Sequence, residues 1–478
     1  MIAGLKPYPE MKDSKVEWLG KIPDHWTEKR AKYFYREADE RSTTGEEELL
    51  SVSHKTGVTP RKQSVTMFMA ESTVGYKVCR PNDIAANTMW VFMGALGVSK
   101  QVGLVSPSYG VYRPIRPGDL LPEYVDRLLR VDGYKAEYMC RSTGINSSRL
   151  RLYPDDFLRI PIVCPPISEQ TAIVRYLDHV DRRVRRLVRA KRKLIALLTE
   201  QKQAIIHRAV TRGLDPDVPL KDSGVEWLGE VPAHWEVVSL AMAAHSIQTG
   251  PFGSQLHADE YVTGGIPVVN PSHMRDGRIA ADKTIAVNRE KAEDLSRHKL
   301  ESGDIVVARR GELGRCALVT AEEAGWLCGT GSLRIRVKKS SFDSQYLARL
   351  LGSQGVRDML TLTSIGATMD NLNAGMVSRL RLPKPLVEEQ RRIMEAVSAS
   401  SKTFALSLDT TNREIDLLTE FRTRLTADVV TGKLDVREAA AALPEVDPLA
   451  ADDEPDTLDA EMESDLAEPD VASEEADA

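Results

Sequence analysis

Asn270, Ser272 and His273 lie in the run Asn-Pro-Ser-His at 270–273, which can be compared with the motif of an amino-methylating centre. An amino-methylating centre would require Asn-Pro-Pro followed by an aromatic residue. Here the second proline and the aromatic are missing, and no glycine-rich cofactor loop accompanies the run. Gly-Thr-Gly-Ser at 329–332 lies beside the strand-like run SLRIRV and reads as a turn. No GxxxxGK[ST] segment is present to cradle a nucleotide phosphate, which excludes an ATP motor of that type. The nine histidines show neither metal-ligand nor nucleophile-base spacing. The five cysteines, at 79, 140, 164, 316 and 328, form no CxxC pair and no zinc-spaced cluster, so they read as reduced structural thiols. These residues point to a binding protein without a catalytic or metal centre.

The elements that position such residues are duplicated. KDSKVEWLGKIPDHW at 12–26 recurs as KDSGVEWLGEVPAHW at 221–235, identical at eleven positions. PPISEQTAIVRYLDHV at 165–180 matches PLVEEQRRIMEAVSAS at 385–400, and TRGLD at 211–215 matches TGKLD at 431–435. The offset grows from 209 at the opening to 220 at the close, so the second middle region is 11 residues longer than the first. The predicted divisions are 1–160 (opening motif and first middle), 165–215 (helix), 221–380 (second motif and middle), 385–435 (helix) and 436–478 (acidic tail). In the opening motif Trp18, His25 and Trp26 match Trp227, His234 and Trp235. They read either as a docking motif for another subunit or as a packing clasp between middle region and helix, and the area a Trp buries favours the clasp.

The chain has 478 residues, 42% of them hydrophobic, enough for two cores. The N-terminal MIAGLKPYPEMKD lacks an apolar signal core and no apolar run has membrane-spanning length, so the expectation is a soluble cytoplasmic protein. The net charge of −6 conceals two parts. Residues 436–478 hold 16 Asp and Glu with Arg437 as the one base, leaving 63 bases against 54 acids, or +9, in residues 1–435. A basic body suits a polyanion partner. The tail reads as a disordered solubilising appendage, or as a competitor with DNA for the basic surface.

Ser168–Arg212 contains neither Pro nor Gly, follows Pro165 and Pro166, and stops at Gly213, which predicts one long helix. Its apolar positions Leu177, Val184, Leu187, Leu194, Leu198 and Ile205 follow a seven-residue spacing. In the second copy Val397, Phe404, Leu418 and Leu425 lie 220 after Leu177, Val184, Leu198 and Ile205. Each helix would be a rod of about 65–70 Å, with the other copy as its antiparallel coiled-coil partner. Residues 167–215 hold 12 bases and 5 acids against 7 and 9 in 387–435, a compatible pairing. The basic run RRVRRLVRAKRK at 182–193 could instead touch phosphates, but its interleaved Val184, Leu187 and Val188 favour packing.

The middle regions, 27–160 and 236–380, read as mixed α/β. Short strand-like runs such as DIVVARRG at 304–311 and GIPVVN at 265–270 are separated by Gly, Ser, Asn and Pro. Helical stretches at 121–130 and 344–351 precede STGINSSRL at 142–150 and SIGATMDNLN at 364–373. The opening motif, QTGPFGSQLHADEYVTGGIPVVNPSHM at 248–274, GDIVVARRGELGR at 303–315 and PLVEEQRRI leading into a long helix together resemble the specificity subunit of type I restriction-modification systems. NDIAANTMWVFMGALGVS at 82–99 and GLVSPSYGVYRP at 103–114 are similar to another recognition-domain subtype of that family. The resemblance extends to about residue 435, and the acidic extension departs from it.

The resemblance implies an α/β fold with two target-recognition domains separated by two long antiparallel helices. It implies a non-catalytic reader of a bipartite, gapped site in double-stranded DNA. The helices would serve as spacer and as docking surface for two methyltransferase (modification) subunits and two restriction (motor/endonuclease) subunits. No cofactor is expected on this chain, with S-adenosylmethionine, ATP and Mg on the partners. A rod of ~65 Å is comparable to ~20 base pairs. By position in the similar segments, the expected DNA contacts in the first half are Asn87, Trp90, Lys100, Ser108, Tyr109, Arg141 and Asn146. Those in the second are Gln255, His257, Asn270, Ser272, His273, Arg275, Arg309 and Arg310. Arg and Lys suit guanine or phosphate, and Asn and Gln suit adenine. The other readings are a coiled-coil adaptor joining two protein-binding domains, and a nuclease of unrecognised type.

Overall fold

The protein is described from a computed structural model, which covers residues 5–61, 72–144, 150–252, 255–275, 277–280, 282, 284–364 and 372–444. It divides into two units, one formed by the chain up to Lys191 together with the chain from Arg413, the other by Arg192–Asn412.

In unit 1, Thr27–Arg30 leaves the opening motif and pairs antiparallel with Pro161–Cys164, the last strand before the first long helix. Between them lies a four-stranded antiparallel sheet in the order Tyr35–Glu37, Gly110–Pro114, Ile84–Ala86, Leu96–Val98. Unit 2 repeats the plan. Glu236–Ser239 pairs with Arg381–Lys384, and the sheet order is Ala244–Thr249, Ser332–Val337, Ile305–Ala308, Cys316–Leu318. The insertions differ. Unit 1 adds a hairpin, Leu50–Ser53 with Gly57–Pro60, and the pair Lys77–Cys79 with Gly103–Val105. Unit 2 adds a three-stranded sheet with a parallel pairing of Ile266–Val269 to Leu327–Cys328.

One ion pair is repeated with the sheet. Arg113 grips buried Asp83, with Nη2 2.9 Å from Oδ2, and the same carboxylate oxygen accepts the Arg80 N–H at 2.9 Å. In unit 2 Arg336 grips Asp304 through two 3.1 Å bonds, and Asp304 accepts the Glu301 N–H at 2.9 Å. A two-pronged guanidinium on a buried carboxylate satisfies both groups and fixes the register of the strand that carries the arginine.

The long helices run Ile167–Arg212 and Val387–Val430. Each enters after proline and stops before a left-handed glycine, Gly213 at φ 77° and Gly432 at φ 79°. The first passes from unit 1 into unit 2 after Lys191, and the second returns after Asn412. Within unit 1 they run antiparallel, with Lys191 paired to Glu414 at 2.6 Å and Asp181 to Arg422 at 3.4 Å. Within unit 2, Ile206 and Val210 of the first helix share a core with Ile393 and Val397 of the second.

Of the expected seam, Leu177, Val184, Val397 and Leu425 are buried, and Leu198, Phe404 and Leu418 are half-buried. Ile205 is a correction, because it is 39% exposed and Ile206, at 5%, takes the buried place. The start of the acidic segment is another. Val436 and Ala440 are buried in the unit 1 core, and Arg437–Ala441 is a short helix. Residues 445–478 lie outside the described residues.

Candidate nucleic-acid interface

Each unit is held together by the same three contacts between its opening motif, its domain and the long helices. Trp26 is fully buried and its indole N–H donates to Glu169, in the first turn of the first long helix, at 2.9 Å, while His25 Nε2 lies 2.5 Å from the same carboxylate. In unit 2 Trp235 donates to Glu389 at 3.0 Å and His234 lies 3.1 Å from it. The next residue is a latch. The Gln170 side chain accepts the Leu121 N–H at 2.8 Å and donates to the Pro165 carbonyl at 2.9 Å, and Gln390 does the same with Asp343 and Pro385 at 2.7 and 2.9 Å. Third, the buried Tyr124 hydroxyl donates to the carbonyl of Val430, where the second helix ends, at 3.0 Å, and Tyr346 donates to that of Val210 near the end of the first at 2.8 Å. Trp18 and Trp227 close the motif against Gly133 and Gly355, where a Cβ would come within 2.1 and 2.7 Å of the indole. The Trp and His residues are therefore clasps within the chain. Unit 1 adds to its clasp, since Tyr8 donates to Glu169 at 3.2 Å, and Arg437 lies 3.7 Å from that carboxylate and over the Tyr8 ring.

With the frame fixed this way, the loops at one end of each four-stranded sheet are the variable part. In unit 1, Asn87, Thr88 and Trp90 follow the strand Ile84–Ala86 and meet Ser108 and Tyr109. Asn87 donates to the Tyr109 hydroxyl at 3.0 Å and Thr88 to the Ser108 carbonyl at 3.0 Å. Ser108 and Trp90 are exposed at this end, the latter by 37%. Asn87 and Tyr109 are 7% and 6% exposed and bonded to each other, so they shape the loops from beneath, and their expected role as open base contacts is corrected. Lys100 is exposed but lies at the other end of the hairpin, next to Ser99, whose N–H donates to the Asp83 carbonyl. Arg141 lies beside Trp18 and is paired to Glu137. Asn146 falls outside the described residues.

In unit 2 the loops converge closely: a Cβ on Gly250 would strike the Gly329 backbone, one on Gly329 the Asn270 side chain, and one on Gly331 the Pro271 ring. Arg309 and Arg310 follow the strand Ile305–Ala308. The Arg309 carbonyl accepts the Leu372 N–H at 3.0 Å, as Thr88 accepts that of Leu152, so the two positions are equivalent. Arg309 is 6% exposed, donates Nε–H to the Leu372 carbonyl at 3.1 Å and lies 5.9 Å from the exposed Phe252 ring. Arg310 and Ser272 are exposed. His273 is buried and accepts the Asn270 N–H through Nδ1 at 3.3 Å, which makes it a turn brace, a correction to its expected open role. Gln255 accepts the Phe252 N–H, and His257 opens a short helical turn with its own N–H bonded to Glu260. Arg275 is exposed on the hairpin Met274–Arg275 with Arg278–Ile279. Sequence reasoning missed Phe252 and Thr88 at the loop ends and Glu169, Gln170, Glu389 and Gln390 in the frame. For the last four, the 220-residue offset was the available signal.

Beneath the unit 2 loops the electrostatics oppose extra positive charge. Arg334 is buried and donates to the Arg297 and Lys299 carbonyls and to Gln248. His298 is buried beside it, and its pKa is pushed down to about 4, first by burial and then by Arg297 and Arg334. Between its ordinary value of 6.5 and about 4 the unfolded chain takes up a proton that the folded chain refuses. The neutral imidazole therefore stabilises the fold above pH 6.5, and that contribution falls away as the pH drops through the window. Acidifying from pH 7.5 to 5 is expected to cost unit 2 about 2 kcal/mol through this group. Urea midpoints at the two pH values would show it, with His298→Gln removing most of the dependence. A wild-type-like dependence in the variant would refute it.

Burial also raises the thiols of Cys79 and Cys328 to about 12 and that of Cys316 to about 11. Such thiols pack as apolar groups. Among the described residues no group of three or more His, Cys, Asp and Glu is placed to hold a metal ion, and no helix is long and apolar enough to cross a membrane.

A family model for the type I restriction modification DNA specificity domain matches residues 232–417. The MjaVIII type I restriction enzyme specificity subunit of Methanocaldococcus jannaschii is 24% identical over 302 residues, 62% of this chain and 66% of that protein. The EcoBI specificity subunit of Escherichia coli is 23% identical over 237 residues, 49% of this chain and 50% of that one. The chain thus aligns with between half and just under two thirds of these relatives' lengths. A solved structure reported for the assembly and conformational transition of the type I R-M system superposes with a TM-score of 0.61 at 16% identity, covering 86% of this chain and 98% of that one, a likeness of fold.

Proposed function

We propose that the chain is a type I restriction-modification specificity subunit, a reading supported by the family match over residues 232–417 and by the similarity to curated specificity subunits, and that it reads the two halves of a bipartite, gapped site in double-stranded DNA. One observation carries this reading: a single frame, repeated down to its Glu clasp, Gln latch, Tyr cap and Asp–Arg pair, holds two different sets of loops at equivalent sheet ends. In unit 1 Trp90 and Ser108 would face DNA, with Thr88 held beneath Ser108; in unit 2 Arg310, Ser272, Asn270 and Phe252 would, with Arg309 held just beneath. An arginine at the loop end suits a guanine edge and an asparagine an adenine edge. The adaptor reading does not account for loops that differ while their support is kept.

In this reading the chain has no catalytic centre. It acts in the cytoplasm and presents its long helices to two methyltransferase subunits, with two restriction subunits joining the assembly. S-adenosylmethionine, ATP and Mg would belong to those partners. The test is to map methylated adenine genome-wide in cells expressing the chain with its candidate methyltransferase partner, against cells lacking the chain. A two-part motif with a fixed gap that vanishes without the chain is the expected result. No chain-dependent motif, with the partner bound and active, would reject it.

A further inference from the structure

The long helices carry a strongly charged face that the clasps, latches and caps do not use. In unit 1, residues 175–191 of the first helix hold seven Lys and Arg against Asp178 and Asp181. Arg175, Arg182, Arg186 and Arg189 follow one another at spacings of 7, 4 and 3. At about 100° per residue this places them within roughly 40° of Arg175, on the side of the helix opposite Leu177 and Val184. Leu177 and Val184 are buried, whereas in this arginine stripe Arg175 and Arg186 are exposed and Arg182 and Arg189 half-buried.

The C-terminal part of the chain is tied to the first member of that stripe. Arg175 Nη2 donates to the Leu443 carbonyl at 2.7 Å and to the Pro444 carbonyl at 3.0 Å. Residues 445–478 continue from that point and contain 15 Asp and Glu without a single Lys or Arg. Arg182 and Arg189 lie ~10 and ~21 Å along the axis from Arg175. A chain advancing at most ~3.5 Å per residue covers ~21 Å in about six or seven residues. Asp447 can therefore come within reach of Arg182, and the cluster Asp452, Asp453, Glu454 and Asp456 within reach of the whole stripe.

We propose that the acidic segment 445–478 binds along the stripe of Arg182, Arg186 and Arg189 in unit 1 and competes there with the phosphate backbone of DNA. The competition rests on the DNA-reading function; the contact does not. Its effect is uniform across sequences, because carboxylates compete with the phosphate attraction common to all of them and leave base contacts at the loop ends untouched. The segment thus weakens non-specific residence on DNA in absolute terms while keeping the ratio of cognate to non-cognate affinity.

The test compares the full chain with a full chain in which the fifteen carboxylates of 445–478 are changed to Asn and Gln. Phenylglyoxal labelling of arginines, read by mass spectrometry without DNA, reports the contact. At low salt Arg182, Arg186 and Arg189 should label three- to tenfold more slowly in the natural chain. The difference should vanish at ~0.5 M salt, with Arg278 and Arg289 of unit 2 unchanged throughout. Equal labelling of the stripe in both chains, or an equal change at Arg278 and Arg289, overturns the contact. Titration of a non-cognate duplex reports the competition. Neutralising the segment should tighten binding about tenfold at low salt, and much less when Arg182, Arg186 and Arg189 are already Gln. An equal gain in both backgrounds overturns competition at this stripe. If neither chain binds duplex while the stripe is protected, the contact stands and the competition falls with the DNA-reading function.

Discussion

Replacing Arg310 and Ser272 by Ala is expected to lower affinity for the cognate duplex by about 10- to 100-fold while relaxing discrimination at one half-site alone. Both side chains are exposed where the unit 2 loops converge, and a bidentate base contact contributes about 1–3 kcal/mol of discrimination. Three duplexes decide it at fixed salt: cognate, altered in one half, and altered in the other. If the pair reads bases, the variant ceases to distinguish cognate from one altered half and still rejects the other. If it only touches phosphate, affinity drops by the same factor on all three and the salt dependence becomes shallower. Uniform loss would defeat the half-site assignment for unit 2.

Glu169→Ala is expected to destabilise unit 1 by about 3 kcal/mol, and Glu389→Ala to cost unit 2 roughly half as much. The sequence makes the two glutamates equivalent, but their surroundings differ. The Glu169 side chain is 8% exposed and serves the Trp26 indole, the Tyr8 hydroxyl and His25, with Arg437 nearby; that of Glu389 is 20% exposed and serves Trp235 and His234. Removing Glu169 strands a fully buried indole N–H and a buried hydroxyl. Glu169→Gln keeps an acceptor and should recover part of the loss. Denaturant unfolding followed by tryptophan fluorescence measures all three variants, and losses below ~1 kcal/mol for both alanine variants would show that the clasp is incidental.

The opening motif and the long helices were legible because both are written in long, unusual runs. The four-stranded sheet was not. Most of its strands are three to six residues long, too short for alternation to show, and insertions of different length separate them. Asp83 and Asp304 are 221 apart but Arg113 and Arg336 are 223 apart, so the repeated ion pair is out of step with the flanking repeats. Ile205 was misplaced for a geometric reason. A strict seven-residue repeat drifts about 20° per heptad on a straight helix, and the four heptads from Leu177 accumulate nearly one residue's rotation, which hands the buried position to Ile206. Asn87 and Tyr109 were legible as loop-end residues but not as partners, since an amide beside a strand reads alike whether it meets solvent or a ring. The loops themselves were located in the sequence, but what they hold beneath their surface was not.

The tyrosine caps also bear on how the protein is made. Unit 2 is one continuous stretch, so its core is complete once residue 412 has left the ribosome. Unit 1 begins first and finishes last. Tyr124 awaits the carbonyl of Val430, 306 residues later, and its core also needs Leu425, Val429 and Val436. Contacts of such separation carry a large loop-closure cost and form slowly. Throughout translation the N-terminal domain is therefore a half-built nucleus with apolar side chains uncovered, the state on which chaperones act and from which aggregation starts. Premature termination between residue 412 and the end of the second helix would leave a finished unit 2 attached to an unfinished unit 1.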